Sequence, residues 1–227
     1  MLKVLATHAV QGALAGLVSR FEPSHGTSVA IEYDPTSLLL ERIRAGETAD
    51  IAIVTRAGVE ELLQLGILDG GTVVDLGRSV VGLAVEAGAP KPDIGTPDAL
   101  KATLLAARSI AYSRFGASGV YFAALIERLG IADAVNAKAT IIPSGLTAAL
   151  VPRGEAEMAV QQLSELMAVP GVDIVGPLPA SLQTPTVFAA AAFRASARPE
   201  LASSLLQALA SAEAAAAYEA AGLEPVR

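Results

Sequence analysis

Leu2-Lys3-Val4-Leu5-Ala6-Thr7-His8 and Asp50-Ile51-Ala52-Ile53-Val54-Thr55 bracket the stretch of this chain that decides its fold. Both are short apolar runs, and the second is nearly continuous, as expected of a strand buried on both faces of a parallel sheet. Between them, Ala9–Phe21 has helical period with Leu14, Leu17, Val18 and Phe21 on one face. Ser28–Tyr33 reads as a strand, and Ser37–Ala45 as a helix that Gly46 ends. Ala57–Leu65 then reads as a helix stopped by Gly66. This βαβαβ order with short loops predicts parallel strands joined by right-handed crossovers.

The same alternation continues outward. Val73–Leu76, Ser79–Val85, Ser109–Tyr112, Thr140–Ile142, Ala156–Val160, Val172–Val175 and Thr186–Phe193 read as strands. Thr96 followed by Pro97 reads as an N-cap with proline in the first turn. Ser118–Leu129, Thr147–Arg153, Pro199–Leu209 and Glu213–Ala221 read as helices, and no internal repeat is visible.

Composition narrows the chemistry. The chain has 227 residues, a formal net charge of -7 and no cysteine. An acidic chain without a Lys/Arg cluster does not suit nucleic acid, which needs a basic face. No apolar run approaches the roughly 18 residues of a membrane span, so a soluble protein without membrane insertion is expected. The absence of Cys excludes disulfides, iron–sulfur clusters and thiolate zinc sites, and His8 and His25 lack a metal-ligand spacing. No metal and no cofactor are therefore expected. There is no Walker loop, no G-x-G-x-x-G and no G-x-S-x-G. The first strand begins beside Met1 with no signal-peptide pattern before it, which predicts a cytoplasmic protein, or a periplasmic one if a leader has been trimmed away.

Five segments, in order, resemble the molybdate-type, type II periplasmic substrate-binding proteins. They are the opening strand with Thr7-His8, the Asp34-Pro35-Thr36-Ser37 turn, Ala49-Asp50-Ile51-Ala52-Ile53, Gly154-Glu155-Ala156-Glu157-Met158-Ala159 and Gly176-Pro177-Leu178-Pro179. The resemblance covers almost the whole chain. It implies an α/β fold of two lobes, each a mixed, mostly parallel sheet flanked by helices, with a ligand cleft between them. Lobe 1 would be residues 1–80 plus 187–227, and lobe 2 residues 81–186. It also implies a small anionic ligand and, for an exported member, an ABC transporter partner. Gln162 stands where the family usually carries a tyrosine.

Helix N-termini expose unpaired N–H groups, and loops at the carboxyl ends of parallel strands converge on a crevice. The candidate ligand residues follow from that rule. Thr7 and His8 end the first strand; Thr7 serves either as an anion donor or as a plain N-cap, and His8 as a neutral donor, a base or a structurally bonded side chain. Thr36 and Ser37 follow Pro35, one hydroxyl capping the helix and the other reaching a ligand. Ser113-Arg114-Phe115-Gly116-Ala117-Ser118-Gly119 is the best anion nest of the second lobe, with Ser118 at the helix start and Gly116 and Gly119 allowing close backbone approach. Ser144, Gln161 and Gln162 lie at comparable strand ends, where two buried amides need partners that a ligand would supply. Thr55 ends one further strand and Ser79 begins another. Arg78 and Arg114 are each either a bidentate carboxylate clamp or a solvated surface cation. Glu165 reads as part of a helix start.

Two functions fit these residues. The first is a binding protein that closes around a small oxyanion or organic carboxylate. The alternative is an isomerase on the same fold, because the family's relatives include one acting on aconitate; there, Arg78 or Arg114 would hold the carboxylate and His8, or a carboxylate such as Glu165, would move a proton.

Overall fold

The structure, a computed structural model, describes residues 1–226. The chain divides into two units, Met1–Ser79 together with the chain from Thr186 onward, and Val80–Pro185.

Unit 1 contains β1 (Leu2–Ala6), α1 (Gln11–His25), β2 (Val29–Tyr33), α2 (Thr36–Arg44), β3 (Ile51–Thr55), α3 (Arg56–Gln64) and β4 (Val74–Ser79). Unit 2 contains β5 (Val81–Glu86), α4 (Pro97–Ala106), β6 (Ile110–Ser113), α5 (Ala117–Arg128), α6 (Ala132–Asn136), β7 (Ala139–Ile142), β8 (Met158–Gln162), α7 (Leu163–Met167) and β9 (Val172–Pro177). The chain then returns to unit 1 as β10 (Thr186–Ala192), α8 (Pro199–Leu209) and α9 (Ala212–Ala220).

Each unit is built on a five-stranded mixed sheet, in the order β2-β1-β3-β10-β4 and β7-β6-β8-β5-β9. In unit 1, β1 runs parallel to β2 and β3, and β10 runs antiparallel to β3 and β4. In unit 2, β6 runs parallel to β7 and β8, and β5 runs antiparallel to β8 and β9. Side-chain alternation splits each strand between two cores. Leu2, Val4 and Ala6 of β1 face the cluster that α1, α8 and α9 cover, whereas Leu5 faces the one that α2 and α3 cover. In unit 2, Ile110 and Tyr112 face one core and Ala111 the other.

Several elements differ from the sequence reading. Thr147–Leu150 is a short 3-10 turn rather than a helix over 147–153, because Gly154 in a left-handed conformation (φ +72°) and Pro152 close the segment early. The strand read over Ala156–Val160 lies two residues later, Met158–Gln162, so both glutamines belong to the sheet. The first helix starts with a 3-10 turn at His8–Val10 and continues past Phe21 to His25. Helix α6 carries no strong signal in its five residues.

Candidate anion-binding sites at the strand ends

In unit 1 the parallel register aligns three strand ends. Ala6 pairs with both Tyr33 and Ile53, so Thr7, Asp34 and Thr55 emerge along one edge. Thr7 N–H donates to Ile53 O at 2.9 Å, and Asp34 N–H to Ala6 O at 3.1 Å. Thr7 is buried, and its side chain makes no capping bond to the turn that follows, so it is not a plain N-cap. His8 Nδ1 lies 3.1 Å from Gln11 Oε1, and its ring stacks on Tyr33 with centroids 6.0 Å apart. Burial pushes the Tyr33 phenol up to about 12.

The N-cap of α2 is Pro35, whose ring carries no hydrogen-bonding atom, so neither Thr36 nor Ser37 occupies the capping position expected of one of them. Thr36 is buried, and its Oγ1 has no hydrogen-bond partner. Such a hydroxyl carries a desolvation cost that only a partner relieves. Arg42 steadies the turn before it, with Nη1 donating to Asp34 Oδ2 at 2.9 Å and Nε to Glu47 Oε2 at 2.6 Å. The Arg42 contact, helped by Lys3, holds the Glu47 carboxyl down to about 2. Thr55 is a helix cap: its Oγ1 accepts from Gly58 N–H at 3.2 Å.

Two residues expected to bind a ligand are engaged elsewhere. Arg78 is ion-paired with Glu224, its Nε donating to Glu224 Oε2 at 2.9 Å, and the two backbones bridge reciprocally. It staples the C-terminal segment to β4. Ser79 is buried, and its Oγ donates to Gly222 O at 3.5 Å.

In unit 2 the ends of β6, β7 and β8 form the corresponding edge. Arg114 N–H donates to Ile142 O at 2.8 Å, which places Pro143-Ser144-Gly145 beside the Ser113–Gly119 turn. The twelve-residue helix α5 starts after Gly116 without a side-chain cap. Ser113 and Ser118 are 2% and 1% exposed, and neither Oγ has a partner. Both hydroxyls border the space above Gly116: a Cβ there would lie 2.5 Å from Ser113 Oγ and 3.8 Å from Ser118 Oγ. Two orphaned hydroxyls at a helix N-terminus are the donor set of an anion nest. Arg114 is exposed beside them and makes no ion pair among the described residues. Gly119 has a different task from the one expected. Its Cβ would fall 1.7 Å from Ser113 O, so its absence lets α5 pack on its own strand rather than on a ligand.

Gln161 is also committed internally. Its Oε1 accepts from Thr147 N–H at 2.8 Å and Thr147 Oγ1 at 2.9 Å, while Nε2 donates to Gly145 O at 3.0 Å and Glu165 Oε1 at 3.1 Å. It needs no ligand to satisfy it, but it ties down the loop carrying Ser144. Gln162 stands at the N-cap of α7, and its N–H donates to Glu165 Oε2 at 3.2 Å. Burial pushes the Glu165 carboxyl up to about 8, against the smaller opposing effect of those two donors. Ser164 Oγ is buried and partnerless as well. Ser113 and Thr147 are not among the individual ligand candidates read from the sequence; the signal for Ser113 is a hydroxyl ending an otherwise apolar strand. A cavity of about 460 Å³ in this unit, bordered by Glu86, Arg108 and Glu157, opens at the opposite end of the sheet, away from these donors. Among the described residues no group of three or more His, Asp or Glu could hold a metal ion, and no helix is long and apolar enough to cross a membrane.

Two helix-flanked mixed sheets with these strand orders define the two-lobed, type II periplasmic-binding fold. The chain belongs to the bacterial extracellular solute-binding protein family, whose profile matches residues 2–224. It is 39% identical over 231 residues to a protein named aconitate isomerase from Pseudomonas sp., covering 99% of this chain and 88% of that one. Among solved structures it is similar to the periplasmic molybdate-binding protein of Azotobacter vinelandii, with a TM-score of 0.83, 20% identity and 100% of both chains covered. It is also similar to the sulfate-binding protein of Mycobacterium tuberculosis, with a TM-score of 0.77, 18% identity, and 99% of this chain and 86% of that one covered.

Proposed function

We propose that the chain binds a small organic polycarboxylate of the aconitate class. The observation that carries this reading is the pair of buried, partnerless hydroxyls, Ser113 and Ser118, at the start of α5. Nothing in the unit satisfies them, and a carboxylate oxygen would. Thr36 in unit 1 is a further buried hydroxyl without a partner. Arg114 is the cation available for a second carboxylate, which an inorganic oxyanion would not require. An ABC transporter partner fits this reading if the chain works outside the cytoplasm.

The experiment is calorimetry with cis-aconitate, trans-aconitate, citrate, molybdate and sulfate on the wild type and the Ser113→Ala/Ser118→Ala pair. Each lost bond to a charged acceptor is worth about 1.5–3 kcal/mol, so the double variant should bind at least about 100-fold more weakly. Its thermal stability should hold or rise, because two buried unpaired hydroxyls are removed. Binding of molybdate or sulfate without binding of any polycarboxylate would refute the reading.

The name of the 39% identical relative favours a second reading, turnover of the same ligand. Isomerising aconitate requires removal of a proton at one carbon and delivery at another, and His8 at the end of β1 is the base this chain offers. Proton NMR of cis-aconitate in deuterated water separates the readings. An isomerase exchanges the labile C–H and loses a factor of about 100 or more on His8→Ala while still binding. A receptor binds without exchange.

A further inference from the structure

Glu165 is a buried carboxyl, 6% exposed, that accepts from Gln161 Nε2 at 3.1 Å and Gln162 N–H at 3.2 Å. Gln161 carries the connection on to Gly145 O and to both donors of Thr147. One hydrogen-bonded chain therefore runs from the carboxyl to the loop that bears Ser144, on the edge where Ser113 and Ser118 lie unpaired.

The charges around it are sparse. Helix α7 packs against β5, β8, β9 and the 3-10 turn at Thr147–Leu150. None of these carries a Lys or Arg, and α7 itself has no second titratable group. β8 and the turn carry no acid. The remaining acids are Glu86 on β5 and Asp173 on β9, and both lie at the far end of the sheet: Gln162 pairs with Val81, whereas Glu86 pairs with Val172 and Asp173 with Val85. No cation on the packed elements offsets a negative charge on Glu165, and an anion on the neighbouring loop would add a like charge in a low-dielectric setting. Burial already biases the carboxyl toward its neutral form.

We propose that Glu165 is a positioning residue that locks the 144–147 loop through Gln161 and takes up a proton from solvent when an anion binds there. This rests on the reading that this edge of unit 2 holds an anion. The protonated acid keeps a carbonyl oxygen for Gln161, so the loop stays fastened while the repulsion is removed.

The test is calorimetry of cis-aconitate between pH 7.5 and 9, in buffers of different ionisation enthalpy, on the wild type and Glu165→Gln. Ordinary carboxyls such as the ligand's are ionised throughout this range. The wild type should take up a substantial fraction of one proton per ligand, and its affinity should fall with rising pH, approaching tenfold per unit at the alkaline end. In Glu165→Gln the uptake should vanish and the affinity should flatten with pH, which a merely structural role would not produce. Unchanged uptake in the variant, or binding by the wild type without uptake, overturns the inference and leaves the anion site standing. No binding of cis-aconitate, citrate or molybdate to the wild type overturns both. Should the variant fail to fold, carbon-13 NMR of labelled glutamate in the wild type decides: the Glu165 titration should move to higher pH with ligand, and an unmoved or lowered midpoint overturns the inference.

Discussion

Gly119 and Glu165 occupy opposite extremes of what a single residue does at a strand end. Gly119 acts by what it lacks: with no Cβ, α5 settles against the last carbonyl of β6, and the Ser113 and Ser118 hydroxyls are held at the helix start. Glu165 acts by a charge it resists carrying. Its folded carboxyl holds its proton up to about pH 8, against an ordinary value of 4.5. Between those values the folded state binds more proton than the unfolded state, so stability falls as pH rises. The contribution is fully present below about pH 4.5 and is lost as pH passes through about 8. At about 1.4 kcal/mol per pH unit, the span is about 5 kcal/mol as an upper bound. Glu165→Gln stays neutral throughout, so its melting temperature should gain several degrees on the wild type between pH 5 and pH 9. Melts followed by circular dichroism check this, and a gap that does not change with pH would show that the carboxyl is ionised in the fold.

Among the elements, helix starts sort hydroxyls into two kinds. Thr55, Thr96 and Ser211 accept from the backbone N–H three residues on, and each is thereby occupied. Thr36, Ser113 and Ser118 sit at comparable ends with nothing bound to their oxygens. Thr55→Ala should therefore cost about 1 kcal/mol of stability, the usual value of a lost N-cap. Its affinity for cis-aconitate should stay within about twofold of wild type. Urea unfolding and calorimetry read the two effects separately, and a tenfold loss of affinity would return Thr55 to the site. This sorting is where sequence reading stopped. Thr96-Pro97 announces its own cap locally, whereas Thr36 and Thr55 look alike until Pro35 is seen to hold the capping position of α2. Gln161 read as an amide in want of a partner because its partner, Thr147, is fourteen residues away in sequence. Arg78 read as a free cation because Glu224 lies 146 residues away. The strand–helix alternation and most glycine stops were legible because period and left-handed turns are written within a few residues. Long-range pairings that commit a polar side chain are not.

For the whole molecule, an acidic protein is asked to hold an anion. The formal net charge of -7 is no obstacle if the binding donors are close. Exposed charges more than about 8 Å away are screened at physiological salt, while N–H and hydroxyl donors act at contact. Neutral donors also make binding less dependent on salt than a basic patch would be. A ligand that binds only the folded state stabilises it by about 2.7 kcal/mol at one hundred times its dissociation constant. For a chain of this length, each kcal/mol raises the melting temperature by about 2–4 °C, so a saturating polycarboxylate should raise it by about 5–10 °C. Thermal shift with cis-aconitate, citrate, molybdate, magnesium chloride and a neutral sugar tests the class of ligand without any assumption about turnover. Polycarboxylates should shift the melt most, molybdate less because it cannot also engage Arg114, and the cation and the sugar not at all. Raising salt from 0.05 to 0.5 M should reduce the polycarboxylate shift only modestly. A shift that collapses in salt would point to loose attraction by surface cations, and an equal shift by cis-aconitate in wild type and Arg114→Ala would remove Arg114 from the selection of ligand.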